Sequence, residues 1–426
     1  MHDLRGHSLP IAGRYTPLVA TVTAAAIGTL LVAAAPRRAL GQVQSPTLTV
    51  PERPGSSRPR RLPKARMLPL PEAQWTEVHR ALVAKYSEEG RVGNALRTLL
   101  HVPELVDGTM PFHTYLERDS SLSARHREIL ILRTAWLLNN DYAWAEHAPI
   151  AMRSGVTSAE LRRIAEGPQA RAWDPFEATL LQLADELFRN SGVADATWAA
   201  LSARYDLFHL IDAVMTVTHF IDVLLVYNSL GIQPDARLSD RIPTDIPYRV
   251  SVPPRGPALE VARVEPAPGP GLAIARTFAR YPKLNEPRAA AFAYVSQRSN
   301  LDPRYRELLI LRTGWNCQSE YEWSQHVGTV GRARERGLEP LKIAEGPTAS
   351  GWEPFDAALL NAADELYRDS LVSDRTWSAV AARFDTKTLF NALITTTNYR
   401  MVSTALNALG VQIDPGEERL PARSGR

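Results

Sequence analysis

Glu128 and His147 stand 19 residues apart, and Glu307 and His326 repeat that pair at the same spacing. A carboxylate beside an imidazole is suited to general acid–base work. Burial raises a carboxyl pKa, imidazole titrates near neutrality, and together they can pass a proton along a short relay. Each histidine is preceded by the same two aromatics, Tyr142 and Trp144 in one case, Tyr321 and Trp323 in the other. The tryptophan at i−3 neighbours the histidine on a helix and would wall a flat substrate; the tyrosine hydroxyl is a candidate donor. The competing explanation is structural, because a buried glutamate hydrogen-bonded to a histidine is a common way to support a helix interface. A metal site has less behind it, with one histidine and one glutamate per copy against the usual three or four ligands. His219 would supply a third ligand in the first copy only, since Asn398 stands at the matching position.

On one straight helix these partners would lie about 28 Å apart, too far to cooperate. The polar run Asn139–Asn140–Asp141 interrupts the apolar pattern between them. In an antiparallel hairpin about this break, the axial mismatch falls to the order of 9 Å, which long side chains or one water would close. The spacing therefore requires two helices, one carrying the glutamate and the next the histidine. Ile129, Leu132, Ala135 and Trp136 give the first helix an amphipathic face. Gly155 is a plausible stop for the second, Asp174–Pro175 reads as an N-cap followed by an N1 proline, and residues 207–230 read as a buried helix closed by Gly231. No segment alternates convincingly as a strand, so the fold class expected is all-α.

The spacing recurs because the chain is duplicated. Segment 127–147 matches 306–326 at an offset of 179 residues, and the same offset carries the string AEGP at 165–168 onto 344–347. The match runs roughly from 97–231 to 276–410, with one slip: the glycine after the histidine helix is Gly155 in the first copy and Gly337, three positions later, in the second. Proline-rich stretches punctuate the copies, with seven prolines in 45–72 and eight in 242–271. The expected boundaries are a leader over 1–41, a Pro/Arg-rich tether over 42–72, one repeat over 73–240, a linker over 241–270, the second repeat over 271–415 and a tail over 416–426. Arg58, Arg60, Arg61, Lys64 and Arg66 fall in the tether, which reads as solvated.

The 426 residues are 45% hydrophobic and 22% charged, ordinary for a globular protein of two or three domains. The formal charge is +3 and no basic cluster marks a folded face, so nucleic acid is not an expected partner. The leader, with Arg5 and Arg14 ahead of an apolar run from Leu18 to Ala35, fits an export signal or an uncleaved anchor. Export to the periplasm or outside is the expectation, with membrane contact only through that segment. Cys317 is the single cysteine, which excludes any intrachain dithiol couple.

The string E-x-x-x-x-R, then Y-x-W-x-x-H, then glycine and A-E-G-P, resembles the carboxymuconolactone decarboxylase-like family, related to the alkylhydroperoxidase-type proteins. The resemblance covers most of both copies. It implies an all-helical fold of two tandem domains, no cofactor, and assembly as trimers or hexamers with sites between helices; three copies of this duplicated chain would present six units. The peroxidase branch uses a C-x-x-C whose positions are held here by Asn140 and Ala143, and by Ser319 and Glu322. Without either thiol there is no peroxidatic thiolate and no partner to resolve it, so peroxidase activity is not expected. Cys317 is expected to be a core thiol.

The decarboxylase branch implies a cofactor-free lyase or isomerase acting on a small carbonyl, lactone or enolisable acid. In this reading Glu128/His147 and Glu307/His326 transfer the proton, and Tyr142, Trp144, Tyr321 and Trp323 contact substrate. The alternative is a non-catalytic helical binding module that oligomerises. The second copy is closer to the family string and ranks first. Arg133 and Arg312, at i+5 from each glutamate, lie off its face and read as surface or interface ion pairs.

Overall fold

The computed structural model describes residues 48–53, 57–87 and 91–424. The leader at 1–41 lies outside the described residues. Among those described, the chain forms seventeen α-helices and no β-strand. The first repeat contains α1 (Glu77–Tyr86), α2 (Asn94–Leu99), α3 (Pro103–Thr114), α4 (Ala124–Leu137), α5 (Asp141–Arg153), α6 (Ser158–Glu166), α7 (Pro175–Asn190), α8 (Asp195–Ser202) and α9 (Leu207–Leu230). The second contains α10 (Ala273–Ala279), α11 (Pro282–Ala293), α12 (Pro303–Asn316), α13 (Glu320–Val327), α14 (Pro340–Glu345), α15 (Pro354–Arg368), α16 (Asp374–Ala381) and α17 (Thr386–Leu409). Helices α10 to α17 follow the pattern of α2 to α9 in order.

The local reasons are legible in the residues. Asp174 accepts hydrogen bonds from the backbone N–H of Phe176 and Glu177 and so caps α7, with Pro175 at its first position. Gly231 and Gly410 close α9 and α17 in the left-handed conformation. Helix α9 is long and apolar enough to cross a bilayer, yet 89% of its most apolar window is buried inside the protein. It packs on α4 and on its counterpart α17, and α3 packs on α11. The two repeats therefore meet along matching helices, with α9 and α17 at the centre.

The arginines repeated in both copies are interior groups. Arg133 is fully buried; its Nε and Nη2 reach Asp185 at 2.6 and 2.8 Å, and its Nη1 donates to the carbonyls of Ile164 and Ala165. Arg312 makes the same contacts with Asp364, Ile343 and Ala344. Gly167 and Gly346, in the repeated AEGP strings, adopt φ of 101° and 104°. A Cβ there would sit 2.8 Å from Arg133 Nη2 and 2.6 Å from Arg312 Nη2. The string is thus a seat for a buried guanidinium, and a bidentate interior pair replaces the expected surface one because α7 and α15 bring an aspartate to the fork.

The proline-rich tether is also more tightly held than its composition suggests. Arg58 donates to the carbonyl of Ile246 at 2.9 Å, and Arg66 to those of Ser229 and Val372. Carbonyls left free at helix and loop ends accept these arginines, which ties the stretch to both repeats rather than leaving it in solvent.

Candidate active site

Helix α4 ends at Leu137, nine residues past Glu128, and α5 begins at Asp141, six before His147. Asn140 caps α5 by accepting from Ala143 N–H, and Asn139 takes φ 52° to make the turn. The helical arms differ by three residues, or about 4.5 Å, half the mismatch expected from the sequence. No water is needed: His147 Nδ1 lies 2.9 Å from Glu128 Oε2. In the second repeat His326 Nδ1 lies 2.6 Å from Glu307 Oε2. All four side chains are buried.

The aromatics are arranged differently. Trp144 and Trp323 are core residues, the latter packed on Trp315 with ring centroids 5.9 Å apart. The Tyr321 hydroxyl donates to Asp414 Oδ2 at 3.0 Å and accepts from Ile274 N–H at 3.2 Å. Tyr142 packs edge-on against Tyr227. The rings that meet the histidines are instead Phe220 and Tyr399, each edge-on, at 5.3 and 5.0 Å.

Each histidine has a second carboxylate, supplied from a different place in each repeat. In the first, a π-helical turn at Tyr115–Asp119 carries Glu117, whose Oε1 lies 3.7 Å from His147 Nε2. In the second, Ser296 stands at that position, and Glu322 of α13 reaches His326 Nε2 at 3.4 Å. Burial alone would disfavour a charged imidazole, but the flanking carboxylates reverse the sign: His147 is raised above its ordinary value, and His326 is raised to about 9.

Beyond the paired histidine the repeats diverge. Glu117 Oε1 also lies 3.2 Å from His113 Nε2, and His113 Nδ1 lies 3.0 Å from His219 Nε2. Partial burial would raise the Glu117 carboxyl, but the imidazoles of His113 and His147 outweigh it and hold it at about 2. His219 is pushed well below its ordinary value by burial and by its His113 neighbour, so it is neutral near pH 7. The polar row Glu128–His147–Glu117–His113–His219 ends at a cavity of about 50 Å³ between the repeats. His113, His219, Asp222 and Asn398 line it, with apolar walls that include Leu105, Met110, Val226 and Ile394.

The second repeat has no such row, because Phe292, Ser296 and Asn398 replace His113, Glu117 and His219. It is also closed over. Helix α13 stops at Val327 after eight residues where α5 runs for thirteen, and the chain then folds back across the pair. A Cβ on Gly331 would come 2.5 Å from Glu307 Oε2 and 2.2 Å from the His326 carbonyl, so only glycine fits there. This unwinding accounts for the three-residue slip between the copies.

His113, Glu117 and Asp222 are not singled out by a search for repeated residues, since the second copy lacks all three. Their own spacing was the available signal: His113 and Glu117 at i,i+4, His219 and Asp222 at i,i+3. Among the described residues no cluster of three or more histidine, cysteine, aspartate or glutamate side chains has metal-binding geometry. Cys317 is buried at the end of α12, and burial raises its thiol pKa.

Comparison with known proteins agrees with this architecture. The model of the carboxymuconolactone decarboxylase family matches residues 103–186 and again 282–366. Among solved structures, an uncharacterized peroxidase-related protein from Ralstonia eutropha JMP134, with an alkylhydroperoxidase AhpD core, is 19% identical. The match covers 41% of this chain and 95% of that one, with a TM-score of 0.36. An uncharacterized peroxidase-related protein from Silicibacter sp. TM1040 is 16% identical, over 44% of this chain and 99% of that one, with a TM-score of 0.38. No curated protein matches the chain. Two matches to one family, falling at corresponding positions of the two repeats, give this chain two tandem domains of the carboxymuconolactone decarboxylase type.

Proposed function

We propose that the first repeat is a cofactor-free proton-transfer catalyst, a lyase or isomerase acting on a small carbonyl, lactone or other enolisable compound. The observation that carries this reading is the row of close polar contacts from Glu128 to His219, its longest step the 3.7 Å between Glu117 and His147, which ends at a cavity. Glu128 and Glu117 hold His147 between them, and Glu117 in turn orients His113. A carboxylate can only accept, so Glu117 accepts a hydrogen bond from His113 Nε2–H, and we assign the His113 Nδ1–His219 Nε2 contact as donated by His219 Nε2–H. His219 Nδ1 is left with a lone pair. Proton uptake at that atom and loss from Nε2 reverses the order, so the same atom can take a proton and return it.

The second repeat reads as the structural member of the pair. His326 is clamped between two carboxylates beneath Gly331, and among the described residues no further histidine extends the row from it. The order of preference is therefore the reverse of the one that the family string suggests.

The test is exchange of α-protons for deuterium in D2O, followed by NMR on hydroxyacetone, butanone and γ-butyrolactone. Glu128→Gln and His147→Asn, each folded by circular dichroism, should slow exchange about 10²-fold or more, the usual scale for loss of acid–base assistance. Unchanged exchange in both, or unfolding of both, would overturn the reading. Assembly of three chains into a ring of six repeats is proposed alongside it, and light scattering decides that point.

A further inference from the structure

Three residues that line the inter-repeat cavity each carry a buried polar atom without a hydrogen-bond partner: His219 Nδ1, Asp222 Oδ1 and Asn398 Oδ1. Their residues are 5%, 6% and 5% exposed, so solvent at the surface does not satisfy them. An unpaired buried polar atom is destabilising, and three on residues that line one cavity make a strong case for a ligand. They come from both repeats, two from α9 and one from α17. Repetition does not account for them either, since Met401 stands where Asp222 would recur.

The atoms restrict what can bind. His219 Nδ1 and Asn398 Oδ1 are acceptors and call for a hydroxyl donor. Asp222 differs: burial pushes its carboxyl up to about 7, against hydrogen bonds from Thr397 and Asn398 and the charge of Arg400. It is therefore present as an acid for much of the time near neutrality, and an acid donates to a carbonyl oxygen. A carboxylate or phosphate would set lone pairs against two acceptors and finds no cation on the cavity wall. Room is short as well. About 50 Å³ corresponds to roughly four or five water-sized positions, and the rest of the wall is largely apolar.

We propose that this cavity binds a neutral α-hydroxycarbonyl compound of three or four carbons, held by His219, Asp222 and Asn398. The proposal rests on the proton-transfer reading and supplies its substrate class. The hydroxyl donates to Asn398 Oδ1, and the carbonyl oxygen accepts from the Asp222 carboxyl. His219 Nδ1 faces the carbon between them. Removal of its proton by His219 breaks the C–H bond, and the electron pair forms the C=C bond of an enediol. The former carbonyl oxygen gains the Asp222 proton. Return of a proton from His219 to the same carbon, with the former carbonyl oxygen giving its proton back to Asp222, restores the hydroxycarbonyl with its C–H hydrogen exchanged; no oxidant or cofactor enters.

The experiment is saturation-transfer NMR on the full chain at pH 6 with hydroxyacetone, 1,2-propanediol and acetone as probes. Hydroxyacetone should bind saturably, with Kd on the order of millimolar for five heavy atoms, at least tenfold more tightly than acetone. Asp222→Met, which installs the residue already tolerated at the matching place in α17, should weaken it fivefold or more while the fold is retained; Asn398→Leu should do likewise. Equal binding of acetone, indifference to both substitutions, or no saturation to about 0.1 M would overturn the assignment and leave the cavity to water. Binding without deuterium exchange sinks the catalytic reading but not this site. Exchange that is indifferent to Asp222→Met sinks this site but not the catalytic reading.

Discussion

His113 Nδ1 lies 3.0 Å from His219 Nε2, and at the matching places of the second repeat stand Phe292 and Asn398. This contact separates two repeats that otherwise share a Glu–His pair of nearly the same geometry. His113→Phe, which copies the second repeat, should therefore abolish most of the exchange activity. His147 should remain paired to Glu128, and the melting temperature should change by only a few degrees. Exchange rates beside a thermal melt check this; a variant with full activity would remove His113 from the pathway.

The acid role of Asp222 predicts a pH profile. With a folded pKa of about 7, the protonated form is lost as pH rises, so exchange should decline about tenfold per unit above that value. His219 and His113 face the same cavity, and Arg400 acts on Asp222 from α17, so the profile must be compared with that of Asp222→Asn, whose high-pH limb should flatten. An unaltered limb in that variant would assign it to another group.

His326 should make stability depend on pH. Its folded pKa of about 9 exceeds the unfolded value of about 6.5. The contribution is complete below pH 6.5, declines between 6.5 and 9, and is absent above 9. Denaturant unfolding at pH 6 and pH 9.5 should differ by a few kcal/mol from this group, and Glu322→Gln should shrink the difference. Equal dependence in both proteins would count against the carboxylate clamp.

The buried arginines predict large losses of stability without direct loss of chemistry. Arg133→Met leaves Asp185 charged and unpaired in the interior, at about 3–5 kcal/mol. Gly167→Ala forces both a strained φ and a contact with the guanidinium, and should cost about 1–3 kcal/mol. Urea titration measures both. A shift under 1 kcal/mol for Arg133→Met would mean that Asp185 is neutral in the fold.

Cys317 should be silent. A buried thiol whose pKa is raised by burial should resist alkylation until denaturant is added, and Cys317→Ser should leave hydroperoxide consumption unchanged. Rapid labelling of the native protein would contradict its position at the end of α12.

The all-helical fold and the hairpin between Glu128 and His147 were legible because they rest on local signals: apolar spacing, an Asp–Pro cap and closing glycines. The choice between direct contact of the pair and a bridging water was not, since a three-residue turn halves the axial mismatch that a looser break allows. The full burial of the Arg133 ion pair was not legible for a related reason: its partner, Asp185, is 52 residues away, and only the packing of α7 on α4 reveals it. Repetition pointed to the glutamates and histidines, and by the same logic hid His113, Glu117 and Asp222, which occur once. The closure over Glu307 by Gly331 registered in the sequence only as a slip in alignment.

The α9–α17 contact has one more consequence. In a pairing of identical chains about a two-fold axis, a residue at the axis meets its own twin, so Asp222 would bring another aspartate with it and His219 another histidine. Joining both halves in one polypeptide lifts that self-complementarity. One half is then free to contribute a histidine and an aspartate while the other contributes an amide, so a two-fold arrangement becomes raw material for a lopsided centre.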